Sequence, residues 1–409
     1  MPHTLTPHPT PPGALLIATL LGQIAFGLLA MTICLPSMQE WGAIFDAGQP
    51  AVQLSFSAYV VSFGALQLLY GPLSDRHGRK VILLTGLVVA GVGSVLAAVA
   101  PTLEMLIAAR VVQGAGSAAG MVVGRSMVQD LFQGPQRTRM MAYIGMVMGL
   151  CPPVATVIGG QLHVRLGWQS NFVLMAVMAL LLLVAAARLL PAHVARATVV
   201  KTHWLGAMGH AYARLAREPV FLLYVAILAL TTGAFYAFLS GAPLVLGGYG
   251  VGPDGVGWYI MVVPLAYIVG NFLTARMVRR FGESRMMVFG QAATLGGLVL
   301  MLALSQTRFD SALGFVLPLI LLGVGHGFLM PPSLAGSVGV LAGLAGAAAA
   351  VAGLMQQLTG AVAGYAVGLL PNQRSLALGL LMVGFTLCAL AAQFMLRQQR
   401  RGASSAGVP

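Results

Sequence analysis

Gly71-Pro72-Leu73-Ser74-Asp75-Arg76-His77-Gly78-Arg79-Lys80 is a charged island between two apolar runs, near 51–71 and 80–100. Each run has the ~20 residues that a helix needs to cross the hydrocarbon core of a bilayer. The island therefore reads as a loop at a membrane edge. Gly78 permits a tight turn there, and Gly71 lets a neighbouring helix come close. Asp75 is a lone carboxylate among cations, suited to pair with arginine or to face a helix N-terminus.

The same alternation runs along the whole chain. Of its 409 residues 58% are hydrophobic and only 8% charged, against about 25% charged in soluble domains. Such a composition excludes a soluble globular protein and predicts an all-α integral membrane protein. Apolar runs predict helices near 14–37, 51–71, 80–100, 104–127, 139–162, 170–190, 219–246, 256–278, 285–304, 311–332, 343–369 and 374–396. That makes twelve, with eleven as the alternative because no charge marks a loop within 332–350. The organisation follows as a disordered tail (1–13), a six-helix bundle (14–190), a linker (191–218), a second six-helix bundle (219–396) and a tail (397–409). The start lacks Lys and Arg before Ala14, unlike a signal peptide.

The net charge of +13 is explained by topology rather than by nucleic acid. With a cytoplasmic N-terminus, the inner loops collect Arg76, Arg79, Lys80, Arg125, Arg137 and Arg139, then Arg188, Arg196, Lys201, Arg214 and Arg217. Arg276, Arg279, Arg280, Arg285, Arg397, Arg400 and Arg401 join them, as the positive-inside rule requires. Both termini are then cytoplasmic. The linker splits the spans six and six, and Gly78 has an echo in Gly282 of Arg280-Phe281-Gly282-Glu283. Parallel halves with a substrate site between them are a transporter arrangement. Cys34, Cys151 and Cys388 lie in apolar runs and suit core filling, with no metal or disulfide spacing.

Several interior residues carry chemistry. Asp130, at the inner end of the fourth helix, is a second carboxylate for Arg76 or Arg79, and together these charges can latch helix ends in one state and release them in another. Arg110 is an arginine inside an apolar span, where a charge is costly and faces a cavity or a partner. Gln113, Gly114 and Ser117 share its helical face. Gly116, Gly120 and Gly124 form a small-residue packing stripe. The fifth helix carries Gly149, Cys151-Pro152-Pro153 and Gly159-Gly160, a kinking and close-packing pattern. Tyr59, Gln67, Tyr236 and Asn271, with Thr231, Thr232, Tyr267, Gln356 and Gln357, are candidates to line a cavity.

The 71–80 island closely resembles the loop signature of the major facilitator superfamily, and the fifth-helix pattern resembles that of its antiporter branch, although Cys-Pro-Pro replaces the usual Gly-Pro. In order along the chain, Leu35-Pro36, Gln53 to Tyr59, Gln67 to Arg76, Arg110 to Gly114, Val128-Gln129-Asp130-Leu131-Phe132, Gly159-Gly160 and Trp168 to Phe172 resemble bicyclomycin and chloramphenicol-florfenicol resistance exporters, the Bcr/CflA type. The resemblance covers the first half well and the second mainly by hydropathy. It implies the major facilitator fold, twelve transmembrane helices in two pseudo-symmetric six-helix bundles. It also implies a drug:proton antiporter of the bacterial cytoplasmic (inner) membrane, a multi-pass monomer that exports amphipathic compounds, with antibiotic resistance as the outcome.

One departure bears on coupling. Relatives commonly carry an aspartate three residues before Leu-Pro, and Thr32 stands there. None of the nine acids, Glu40, Asp46, Asp75, Glu104, Asp130, Glu218, Asp254, Glu283 and Asp310, reads as lying in mid-membrane. Two substitutes are expected to couple protons: Glu40, facing Arg110 across the cavity, and His326, the one histidine well inside a span. No phosphate loop, metal cluster or nucleophile with a base is present, so neither cofactor nor enzymatic activity is expected. A metabolite or sugar facilitator or symporter is the alternative, with an intramembrane sensor or enzyme behind it.

Overall fold

A computed structural model of the protein describes residues 13–191, 204–341, 343–371 and 375–405; the expected N-terminal tail and the linker residues Arg196 and Lys201 lie outside them. Among the described residues there are helices and no strands. The first half comprises α1 (Ala14–Thr32), α2 (Met38–Ile44), α3 (Gln49–His77), α4 (Arg79–Ala98), α5 (Leu103–Leu131), α6 (Gly134–Leu166) and α7 (Gln169–Leu189). After α8 (Trp204–Leu215) come α9 (Pro219–Gly248), α10 (Pro253–Ile260), α11 (Val262–Phe281), α12 (Glu283–Leu304), α13 (Ala312–Val316), α14 (Leu319–Gly339), α15 (Ala345–Gly368) and α16 (Ser375–Ser405). Taking α10 with α11 and α13 with α14 gives 12 helices long and apolar enough to cross a membrane. Among the described residues the count is twelve, not eleven.

Local chemistry sets the boundaries. Thr102 accepts a hydrogen bond from the Met105 amide at the start of α5, and Pro219 and Pro253 open their helices, where a missing N–H costs nothing. Gly78 and Gly282, at φ +98° and +77°, join α3 to α4 and α11 to α12. The duplicated turn is thus present in both halves. The tenth span departs from its expected end at 332, since α14 runs on to Gly339 with Pro331 and Pro332 inside it. Pro331 has no N–H for the Gly327 carbonyl four residues back. Thr274 Oγ1 of α11 donates to that carbonyl at 2.8 Å, which removes the penalty. The last helix likewise continues past 396 to Ser405.

Apolar side chains cover much of the outer surface, with Leu181 65% and Val362 63% exposed, as a lipid-facing bundle requires. Of the cysteines only Cys34 is buried; Cys151 is half-buried and Cys388 exposed, so core filling holds for one of three. Close packing within the first half uses the expected stripe. A Cβ on Gly116 would lie 2.2 Å from Ala90 N of α4, and one on Gly120 would lie 2.3 Å from Gln23 O of α1. Gly71 behaves otherwise, since its Cβ would find nothing nearer than Val122 at 3.9 Å. The close approach expected there is absent.

The two halves meet asymmetrically. Gln53 Nε2 donates to Ser240 O at 3.1 Å, Ser57 Oγ to Ala361 O at 2.8 Å, Gln161 Nε2 to Asp254 O at 3.3 Å, and Gln39 Nε2 to the carbonyls of Pro243 and Val251. All lie toward the end away from the basic loops. Among the described residues no hydrogen bond or ion pair joins the halves at the basic end. Also at the joined end, Tyr249 donates to Asp310 and lies 3.1 Å from Ser375 Oγ, tying the exit of α9 to the start of α16. Burial and the Asp310 carboxylate push its phenol up to about 12.

Candidate functional site

At the basic end one arginine gathers the acids. Arg79 Nη1 lies 2.6 Å from Asp75 Oδ1 and 2.7 Å from Ser74 Oγ, and its Nε lies 3.1 Å from Asp130 Oδ2. The planar fork of guanidinium suits such three-way bonding. Arg76, the other expected partner, is exposed and makes no ion pair among the described residues. It belongs outside the cluster, because the turn at Gly78 brings Arg79 back toward α5 while Arg76 still follows α3. Lys80 Nζ donates at 2.7 Å to the carbonyls of Ala187 and Leu190, a cation at the C-terminus of α7. The cluster thus ties α3, α4, α5 and α7 within one half. Its acids are partly exposed, so each pair is worth ~0.5–1 kcal/mol, and its use lies in fixing geometry rather than in stability. Arg79→Ala should lower transport roughly tenfold, the equivalent of ~1.4 kcal/mol, and Arg76→Ala should change it less than twofold at equal membrane abundance. Equal losses from the two substitutions would remove the distinction.

In the middle of the first half Arg110 is 0% exposed. The helix ends at Thr32, with Ile33 N donating to Leu29 O and Leu35 N to Thr32 O, so the carbonyls of Ala30 and Met31 need other donors. Arg110 supplies them, with Nη1 donating to Ala30 O at 2.7 Å and Nη2 to Met31 O at 3.3 Å. Nη1 also donates to Gln113 Oε1 at 2.6 Å, and Gln113 Nε2 donates to Ser94 Oγ at 2.9 Å. The guanidinium carbon stands 4.2 Å from the centroid of the Tyr59 ring, and Tyr59 OH donates to Gly27 O at 2.7 Å. Arg110 is a cation capping the C-terminus of a helix, and Nε has no hydrogen-bond partner. Thr32 turns its hydroxyl back to Leu28 O at 2.9 Å.

Glu40 does not face Arg110. It sits on α2, beyond the break in α1, and its Oε2 lies 2.9 Å from His163 Nε2 near the end of α6. Residues 33–37 between α1 and α2 form turns rather than helix, so helical spacing from Thr32 to Glu40 does not hold. This contact is an ion pair when His163 is protonated. It lies beside the joined end, because Gln39 and Gln161, each close in sequence to one partner, donate across to the second half. His163 and Ser94 were not among the expected site residues; pairing over 123 positions leaves no spacing signal.

The remaining candidates scatter. His326 is 2% exposed, edge-on to Phe235 at 5.8 Å between centroids, with Nε2 unpartnered and no acid beside it among the described residues. Tyr236 OH donates to Gln357 Oε1 at 2.8 Å, and its ring meets Phe56 of the first half at 5.9 Å. Asn271 lines a 390 Å³ cavity with Thr274, Pro331 and Pro332 near the basic end. Gln67 is half-buried and faces Gly353 at the seam between the halves. On α6, Pro152 and Pro153 sit within the helix, and Gly149 meets Ile268 of α11. Gly159 and Gly160 touch backbone on both sides, Ile33 O just after α1 and Pro253 O of α10. No group of three or more potential metal ligands occurs among the described residues.

A sequence profile described as Major Facilitator Superfamily matches residues 15–364. A chloramphenicol resistance protein of Pseudomonas aeruginosa is 28% identical over 76% of this chain and 74% of its own length. Multidrug resistance protein D of Escherichia coli strain K12 is 27% identical over 88% and 90%. A bicyclomycin resistance protein homolog of Haemophilus influenzae is 28% identical over 64% and 68%. Among solved structures, the nucleoside transporter NupG has a TM-score of 0.77 at 12% identity, over 94% of this chain and 99% of that one. A bacterial homolog of the lysosomal transporter Spinster, in an inward-facing and unoccupied conformation, has a TM-score of 0.72 at 14% identity, over 93% and 95%.

Proposed function

The chain belongs to the major facilitator superfamily, and on that premise we propose that it exports small amphipathic compounds from the cytoplasm in exchange for protons, by alternating access. It is a transporter rather than an enzyme, as its relatives are. The observation that carries the proposal is the one-sided seam. Hydrogen bonds to backbone carbonyls join the halves at the end away from the basic loops, and among the described residues no such bond joins them at the other. If the basic end is cytoplasmic, this is a carrier closed to the outside, whose next step breaks that seam and brings the basic ends together. The Arg79 cluster holds the inner ends of one half in register for that movement. The names of the relatives support compounds of the antibiotic kind as cargo.

Proton exchange needs a group whose protonation alternates with substrate. In this reading Glu40 and His163 take that part at the outer mouth, where solvent reaches Glu40, and His326 is the second candidate, in the other half. A facilitator is the competing reading, favoured by Thr32, whose hydroxyl is committed to its own helix. The protein acts as a monomer with both termini in the cytoplasm of a bacterial inner membrane. The experiment is a susceptibility panel in cells with and without the protein, followed by transport in vesicles with and without a pH gradient. Protection together with stimulation by the gradient is expected. Protection indifferent to the gradient in the parent and in Glu40→Gln, His163→Gln and His326→Ala variants leaves the facilitator, and failure to move any compound defeats both readings.

A further inference from the structure

We propose that the interior of this carrier selects for anionic amphiphiles and rejects lipophilic cations, an inference that rests on the transporter reading and narrows its substrate. All nine acids lie among the described residues, so the charge inventory is complete for negative groups. Glu40, Asp46, Glu104, Asp254 and Asp310 lie at the joined end, and Asp75, Asp130, Glu218 and Glu283 at the basic end. None lies more than two residues inside the end of a span. Among the described residues two arginines lie six or more residues inside, both on α5. Arg110 is completely buried, without an acid partner and with an unpaired Nε.

Arg125, expected in an inner loop, instead lies six residues before the end of the same helix, ~9 Å inside it at 1.5 Å per residue. Its Nη2 reaches only a thioether, Met148 Sδ of α6 at 2.8 Å. The residue after Met148, Gly149, is the one that meets Ile268 of the second half, so Arg125 lies beside the seam between the halves. Arg110 reaches the same seam from deeper in, through Tyr59: one helical turn earlier on that helix, Phe56 touches Tyr236 of the other half. The end of α1 offsets Arg110 by roughly half an elementary charge; Arg125 bonds no acid among the described residues, and the next acid along α5, Asp130, is held by Arg79. His326 adds no negative charge in either protonation state.

Positive charge held beside a seam of apolar helices, with no acid at the same depth among the described residues, sets up a field that favours anions there. At ~10 Å and an effective dielectric constant of ~20, one such charge changes the occupancy of a unit anion by roughly fifteenfold. A cation is disfavoured by the same factor. Selection of this kind works through repulsion as much as attraction, and it makes outward movement of the anion responsive to a negative-inside potential.

The test uses the purified full chain in liposomes and three probes of similar bulk: the permanent anion 8-anilinonaphthalene-1-sulfonate, neutral chloramphenicol, and the cation tetraphenylphosphonium. The sulfonate should move at least tenfold faster than in protein-free liposomes, with tetraphenylphosphonium at the protein-free level. A potassium-diffusion potential of about 100 mV, worth roughly a 50-fold concentration ratio for one charge, should drive the sulfonate from the negative side. Arg125→Gln should cut sulfonate transport about tenfold and leave chloramphenicol within twofold. Thr32→Asp, which puts an acid next to the carbonyl that Arg110 holds, should narrow the gap between anion and cation. Tetraphenylphosphonium carried as fast as the sulfonate, or chloramphenicol alone carried, overturns the anion inference and leaves the transporter reading standing. Movement of none of the three, in a preparation that also protects no cells in the panel, overturns the reading beneath it.

Discussion

Replacing Gly160 with alanine should reduce transport about 30-fold or more, while all twelve spans still insert and the protein reaches the membrane in normal amount. A Cβ there would lie 2.1 Å from Pro253 O, and the intruded atom is backbone of the opposite half. Backbone cannot rotate aside as a side chain can, so the halves must separate. Overpacking of this sort costs ~1–3 kcal/mol, and about 2 kcal/mol shifts a two-state equilibrium by roughly 30-fold. The penalty falls on the arrangement seen here, in which Gly160 lies against Pro253 of the second half. Labelling of a cysteine introduced at Gln53 should rise in the variant, because Gln53 donates to Ser240 O across the same seam. Unchanged labelling together with lost transport would place the defect elsewhere.

Arg110→Gln should lose transport by about 100-fold, and Arg110→Lys by about tenfold. Two carbonyls at the end of α1, Ala30 and Met31, depend on this side chain, and each buried acceptor left unpaired costs ~1–3 kcal/mol. Lysine keeps the charge but cannot bond two carbonyls and Gln113 while lying flat on Tyr59. Both numbers refer to transport per molecule inserted, measured beside detergent thermal stability. A lysine variant equal to wild type would show that charge alone suffices there. A glutamine variant equal to wild type would mean that the end of α1 is not set by Arg110 at all.

The contrast between Arg79 and Arg110 shows how far linear reading reaches. Both were marked by a carboxylate or an apolar span near them in the chain. For Arg79 the partner acid on α5 was among the expected ones, because the positive-inside pattern and the glycine turn put Asp75, Arg79 and Asp130 at one edge. For Arg110 the partner turned out to be no side-chain acid but the frayed end of α1, about 80 residues away. Glu40 was placed wrongly for the same reason. Helical spacing from Thr32 carries no information across a backbone break.

The sequence by itself determined a membrane chain of eleven or twelve spans, the basic edge and the family. Those are properties of composition within a window of about 20 residues, the solvent preference of each helix and the sign of each loop. Tertiary structure alone decided that Arg79 rather than Arg76 holds both acids, that His163 is the partner of Glu40, and which end of the bundle carries the hydrogen bonds between the halves. These depend on where irregular backbone lies, the break after Thr32 and the turn at Gly78, and on glycines such as Gly160 that let one helix touch another's backbone. A side chain's neighbours across a helix seam are set by packing in three dimensions, and no periodicity along the chain encodes them.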